Sequence, residues 1–494
     1  MHELSGGGVA WERLKSLFRR RAHRIKDPIE HVVVLMFENH SFDQMLGCFQ
    51  DVYPSLAGVD PARPRSNRDS NGREYRQRHS DEPIVDPDPR HELENILNHL
   101  RGDNQGFVSE YEREYPETSP DQRQKVMDYF GMGDLPALHA LASEFTICDH
   151  WYSSVPGPTW TNRFFVHSGT SKGRVHMPSG IASHPGLYLG YDQDTIYDRL
   201  SERGKSWRVY YGDVPQSLVL SHQRRPRNAW RYYRFERFAE DAAGPTEDFP
   251  NFVFIEPRYF HIPFGQPQND DHPPHSTIPA QQLLATVYNS LRRNAELWRS
   301  TLLVVLYDEH GGFYDHVSPP TAVPPDAFRE EWTFDRLGVR VPAILASPWV
   351  DQRVESTHFD HTSVLKYLIE KWDLAPLTAR VAGANSIGAA IRRSEAPRLD
   401  ALPAAPIPDV EKRALAAAPT DEALPLNEHQ QALLEFTQLL QEQAAAESDR
   451  PMLMRASAPG NEVEAACYNV EWYLEVKRLQ AIDIAEDEDG VDRR

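Results

Sequence analysis

The sequence predicts an α/β layered fold with a mostly parallel sheet, extended at its C-terminal end by helices. Three observations carry that expectation. Apolar, β-branched runs recur along the chain, stretches of helical spacing lie between them, and beyond Pro376 the composition turns Ala- and Pro-rich before helical patterning resumes. At 494 residues, 40% hydrophobic and 26% charged, the chain has ample material for a large core and is neither a fibre nor a disordered tail.

The first strand is predicted over residues 31–37, a nearly continuous apolar run of the kind buried on both faces of a parallel sheet. The polar, Pro-rich stretch 51–88 reads as loop or cap, not sheet. Further strands are expected at 207–211, 251–256, 301–307 and 339–346. Leu283, Val287 and Leu291 repeat at helical spacing within 279–298, and Val364, Leu368 and Trp372 share one face of a helix over 361–372. Residues 382–425 read as a linker or loosely packed arm. Asn427 can cap a following helix that carries Leu433, Phe436 and Leu440 on one side, and a second helix is expected over 462–479. The domain organisation that follows is a basic leader (1–27), a catalytic domain (28–375) and a helical extension (376–494).

Composition narrows the partners. The 53 basic against 73 acidic residues give a formal charge of −20, which argues against bulk affinity for nucleic acid. Three scattered cysteines are too few for a disulfide framework or a Cys-ligated zinc. No run is long enough to span a bilayer and residues 1–26 do not read as an export signal, so the expected location is cytoplasmic. Trp11, Leu14 and Phe18, interleaved with basic residues, form a candidate interfacial helix for peripheral membrane contact. The same segment also reads as a frayed leader, and the acidic 483–492 as a solvated tail.

The chemistry concentrates at strand ends, where ligand sites of open α/β sheets lie. The first strand runs into Glu38-Asn39-His40-Ser41-Phe42-Asp43, and the strand at 301–307 runs into Asp308-Glu309-His310-Gly311-Gly312. If these strands are neighbours, Glu38, Asn39, Asp308 and Glu309 converge. These oxygen donors suit Mg²⁺, Ca²⁺ or Mn²⁺ better than zinc, although each cluster alone reads equally as a helix cap. Thr159 follows the turn Val155-Pro156-Gly157-Pro158. A hydroxyl fixed beside a divalent cation can ionise into a nucleophile, and Asn162 and Arg163 could then donate to an anion. The same segment also reads as an ordinary turn opening a helix at Trp160. Trp151, Tyr152, Trp160, Phe164 and Phe165 read either as an apolar entrance or as core. Histidines cluster in several loops, at His91, His272, His275, His310, His316, His358 and His361, as neutral-pH acid/base work favours.

Taken together, Glu38–Asp43, Val155–Thr159 with Asn162-Arg163, Asp270–Pro273, Asp308–His316 and Phe359–Ser363 resemble, in order, the phosphoesterase family of non-specific (phosphatidylcholine-preferring) phospholipases C and AcpA-type acid phosphatases, within the alkaline-phosphatase superfamily. The resemblance implies a three-layer sandwich. It places one divalent metal ion on Glu38, Asn39, Asp308 and Glu309, a nucleophile at Thr159, and His91, His272 and Asn162 around the phosphate. It implies hydrolysis through a covalent phosphothreonine on a phospholipid or small phosphate ester. The phospholipase C-type reaction stands first, an acid phosphatase second, and a non-catalytic binding protein on the same fold is the rival of another class.

Overall fold

The computed structural model describes residues 27–180, 186–261, 267–391, 396–408, 426–447 and 462–491. Residues 1–26, with the candidate interfacial helix, lie outside them. The core is one eight-stranded sheet. Its strands in chain order are β1 (His31–Phe37), β2 (Thr146–Cys148), β3 (Trp207–Tyr211), β4 (Tyr232–Arg234), β5 (Phe252–Glu256), β6 (Thr301–Tyr307), β7 (Ala343–Ala346) and β8 (Arg353–Glu355). They lie in the order β8-β2-β7-β6-β1-β5-β3-β4, and β7 alone runs antiparallel to its neighbours. β1 and β6 are buried at every position, as central strands covered on both faces must be.

The pairing that matters is between β1 and β6. They run parallel in register from His31 opposite Thr301 to Phe37 opposite Tyr307, so their next residues, Glu38 and Asp308, emerge side by side. The amide of Asp308 continues the ladder by donating to the carbonyl of Phe37 at 3.1 Å.

Five helices bear on the site or its support. They are α1 (Thr159–Ser168), α2 (Ile278–Arg293), α3 (Thr362–Trp372), α4 (Glu428–Glu447) and α5 (Glu462–Val491). α1 packs against α3, and α4 against α5. The helical stretch expected over 279–298 is broken at Asn294, whose side chain accepts from the amide of Leu297 and so starts a separate short helix. The strand expected from Val339 begins only at Ala343. Pro342 has no amide to give the ladder, and residues 338–341 instead hydrogen-bond to 151–153. Residues 51–88 are mostly loop but contain a small hairpin pairing Ser66–Arg68 with Glu74–Arg76. Residues 396–408 are not a loose arm: Asn289 exchanges hydrogen bonds of 2.8 and 3.0 Å with the backbone of Ala405, and Tyr288 donates to Leu402 O at 2.6 Å. α5 runs on through the acidic stretch to Val491, so the tail expected there is helical, and residues 482–485 at its start are exposed. Among the described residues no helix is long and apolar enough to cross a membrane.

Candidate active site

Beyond β1 the chain turns sharply. Asn39 adopts a left-handed φ of 62°, which asparagine tolerates better than most residues, and its amide donates to Asp308 Oδ1 at 3.2 Å. Beyond β6, Asp308 and Glu309 lead into Gly311 and Gly312, both at positive φ, which fold the chain back over Asn39. Glu38, Asn39, Asp308 and Glu309 are all wholly buried.

α1 supplies the third side. Thr159 is its first residue, and the turn before it is locked by Asn162. That side chain accepts from the amide of Val155 at 3.1 Å and donates to Gly157 O at 2.7 Å. Asn162 is thereby spent on the turn, which corrects the expectation that it faces the phosphate: its amide shapes the loop that carries Thr159. The Thr159 hydroxyl lies 3.5 Å from Asn39 Oδ1. No side chain caps α1, so the amides of its first turn remain available to an anion.

One turn further on, Arg163 is fully buried with Nε 3.1 Å from Asp308 Oδ2 and Nη2 3.1 Å from Glu38 Oε1. It is spent on these carboxylates, where the sequence suggested a donor to a bound anion. One guanidinium does not satisfy them. Neither oxygen of Glu38 accepts an aligned hydrogen bond, and Glu309 Oε1 and Asp270 Oδ2 are likewise buried without a hydrogen bond. Burial lifts the Glu38 carboxyl well above the usual range against the pull of Arg163. It pushes Asp308 up to about 7, again against Arg163, and raises Glu309 against His91. Desolvated oxygens without hydrogen bonds on Glu38 and Glu309 are donors of the kind a hard divalent cation would satisfy, with Asn39 and Asp308 beside them, so the residue types at these two strand ends fit such an ion.

The predicted histidines divide. His91 and His272 stand together, rings 5.6 Å apart, with His91 Nε2 3.1 Å from Asn39 Nδ2 and 3.7 Å from Glu309 Oε1. Burial works to lower the His91 pKa, but Glu309 and Asp88 outweigh it and raise it to about 9. Burial and the neighbouring His91 hold His272 well below its ordinary value. His275 holds Asp270 at 3.1 Å, and His361 Nε2 donates to the carbonyl of Asp308 at 2.7 Å. Of the others, His310 sets Nδ1 3.2 Å from Glu309 Oε2 and turns Nε2 to His99, whereas His316 pairs with Asp43 and His358 stacks on His150, away from the carboxylates. The aromatics around Thr159 are core: Trp151, Tyr152, Trp160, Phe164 and Phe165 are each no more than 1% exposed.

Three groups of acidic and imidazole side chains among the described residues bring ligand atoms within 4.8 Å of one another. Asp43, Asp315 and His316 surround the buried Arg340, which already neutralises them. Asp194, Asp198 and His222 sit beside Arg199 and Arg225. Asp88, His91 and His272 adjoin the carboxylates described above. Glu38, Asp308 and Glu309 form no such triple, and Arg163 stands between the first two. The sequence held no sign of that bridge, nor of His429, which reaches the same site from α4.

Non-specific phospholipase C3 of Arabidopsis thaliana is 34% identical over 415 residues, 76% of this chain and 75% of its own. A non-hemolytic phospholipase C of Pseudomonas aeruginosa is 27% identical over 410 residues, 72% of this chain and 55% of its own. A crystal structure of a protein in the alkaline phosphatase superfamily from Vibrio parahaemolyticus aligns over 73% of this chain and 70% of its own, at 11% identity and a TM-score of 0.33. Residues 29–375 match the Phosphoesterase family. The chain belongs to the phosphoesterase family, and is a hydrolase acting on phosphoester bonds.

Proposed function

We propose that the protein is a metal-dependent phospholipase C-type enzyme that cleaves glycerophospholipids through a covalent phosphothreonine on Thr159. The observation that carries this reading is the set of buried carboxylate oxygens on Glu38 and Glu309 that accept no hydrogen bond, next to Asn39, whose Oδ1 lies 3.5 Å from the Thr159 hydroxyl. The lipid substrate is supported by the names of the Arabidopsis relatives.

Glu38, Asn39, Asp308 and Glu309 would hold the cation; Ca²⁺, Mg²⁺ or Mn²⁺ suits that oxygen set better than zinc. When bound, it supplies a lowered pKa at the Thr159 hydroxyl and neutralises charge on the phosphoryl oxygens. Thr159 Oγ1, its proton lost to solvent, bonds to phosphorus as the bond to the glycerol oxygen breaks. His91 or His272 gives a proton to that oxygen, and diacylglycerol leaves. Uncapped amides at the start of α1 hold the equatorial oxygens, since phosphoryl transfer depends on positioning and charge. Water then attacks the phosphothreonine, gives its proton to the same imidazole, and the phosphorylated head group leaves as Thr159 is restored.

The test is one purified sample assayed on phosphatidylcholine, a chromogenic phosphate monoester and a phosphodiester. Each is run with and without added divalent cation, beside Thr159→Ala. The expected result is diacylglycerol release that exhaustive chelation abolishes and added Mn²⁺ restores, with no turnover by a folded Thr159→Ala. Hydrolysis of the monoester alone makes the enzyme a phosphatase. Turnover by Thr159→Ala moves the nucleophile elsewhere, and no hydrolysis of any substrate leaves a binding protein.

A further inference from the structure

The helical extension reaches the centre of the site. Asn427 and Gln430 cap α4 reciprocally: the amide of Gln430 donates to Asn427 Oδ1 at 2.7 Å and that of Asn427 to Gln430 Oε1 at 3.0 Å. Gln430 Nε2 also donates to Tyr259 O at 2.6 Å, and Glu428 pairs with Arg90. His429, between them, is 3% exposed, and its ring meets the edge of Tyr259 at 4.5 Å between centroids.

The tautomer of His429 is set by its neighbour. Trp160 Nε1 lies 3.0 Å from His429 Nδ1. An indole nitrogen only donates, so Nδ1 is the bare acceptor and the neutral ring carries its proton on Nε2. That N–H has no hydrogen-bond partner of good geometry and lies 3.5 Å from Glu38 Oε1, which is ion-paired with Arg163 but accepts no aligned hydrogen bond. The molecule repeats this device on the neighbouring strand end. Trp151 Nε1 donates to His361 Nδ1 at 3.3 Å, and His361 Nε2 donates to Asp308 O at 2.7 Å. Two tryptophan–histidine relays thus stand behind the two adjacent acidic strand ends, one from the residue preceding α3 and one from the extension.

We propose that His429 is a positioning residue. Its Nε2–H, fixed by Trp160, orients the Glu38 carboxylate for the cation, so the extension completes the metal site. This rests on the reading of Glu38 as a cation ligand. A ring nitrogen that carries a proton cannot ligate, so His429 acts through Glu38. Partners that orient a ligand in this way typically carry about 10–100-fold of metal affinity.

The experiment titrates chelator-treated full-length protein with Mn²⁺ alone, reading the rise in melting temperature, and measures kcat/KM on the best substrate in parallel. Wild type is compared with His429→Ala, His429→Gln, His429→Asn and Trp160→Phe. Glutamine can return a donor to the place of Nε2, whereas asparagine returns one near Nδ1. The expected result is a Mn²⁺ midpoint weakened at least about tenfold in His429→Ala and His429→Asn, near-wild-type behaviour in His429→Gln, and a smaller loss in Trp160→Phe. Should the alanine variant fail to fold, the Gln–Asn pair carries the test, and equal midpoints for those two overturn the proposal. Wild-type midpoints and kcat/KM in His429→Ala or His429→Asn, with the wild type active, overturn it alone. A wild type with neither a Mn²⁺-dependent shift nor hydrolysis overturns the reading of the site and this inference with it.

Discussion

Asn39 holds its left-handed conformation because Gly311 lies against its backbone. A Cβ built on Gly311 would come 2.1 Å from Asn39 O and 2.6 Å from Asn39 C, at a φ of 62° that side chains rarely adopt. Gly311→Ala should therefore displace Asn39, on top of about 1–2 kcal/mol for the left-handed backbone. The expected outcome is a lower melting temperature together with a weakened Mn²⁺ midpoint. A variant matching wild type in both would mean that this turn yields freely. The four oxygen-bearing residues were legible in the sequence because each directly follows an apolar strand, and polar groups there are costly without a partner. Arg163 was legible as a charged residue near Thr159 but not as the bridge between Glu38 and Asp308. That role comes from the pitch of α1 against two strands distant in sequence. Asn162 was misjudged for a similar reason: short turns consume the side chains that follow them, and spacing alone does not tell an amide that faces a ligand from one that caps carbonyls.

Where elements meet, the clearest electrostatic tension lies between α4 and the segment before the short helix Leu93–His99. Glu92 is raised to about 8, first by burial and then by Glu428, with His91 and His176 pulling it down. Arg90, from the same segment, pairs with Glu428. A carboxyl whose folded pKa lies above its unfolded value binds more protons when folded. Its contribution is complete near pH 4.5 and lost as pH rises through about 8. Glu92→Gln keeps the neutral form at every pH. The difference in unfolding free energy between variant and wild type should thus grow from near zero at pH 5 to a stabilisation of about 1–3 kcal/mol at pH 9. A difference that stays constant across that range would show that Glu92 ionises normally. Periodicity located the five longer strands of the sheet because burial on both faces leaves continuous apolar runs, but not the three-residue strands β2, β4 and β8, which are too short to show a pattern. It missed the break at Asn294 and the late start at Ala343, where one capping amide and one proline outweigh the pattern around them.

For the molecule as a whole, the question is whether the helices beyond residue 426 form a separate body. Sequence marks them off by the Ala/Pro-rich stretch before them and by their own amphipathic faces, but says nothing of where those faces dock. In the structure Leu433, Phe436 and Leu440 of α4 and Val470, Tyr473 and Leu474 of α5 are buried in the same contiguous apolar cluster as β1, β5 and β6. α5 lies along the turn Pro226–Arg231 beside β3 and β4, and Tyr211 and Arg234 on those strands both reach Glu471 at 2.7 and 2.8 Å. An element whose apolar side belongs to the common core cannot unfold without exposing that core, so its stability is coupled to the rest. Calorimetric unfolding of the full chain should accordingly give one transition, with calorimetric and van't Hoff enthalpies in agreement. Added Mn²⁺ should shift that transition as a unit, since a ligand that binds only the native state stabilises everything that unfolds with it. Two transitions, of which only one responds to the cation, would mean that α4 and α5 fold apart from the sheet. The closure of the site by His429 would then be a docking equilibrium and not a fixed part of the native core.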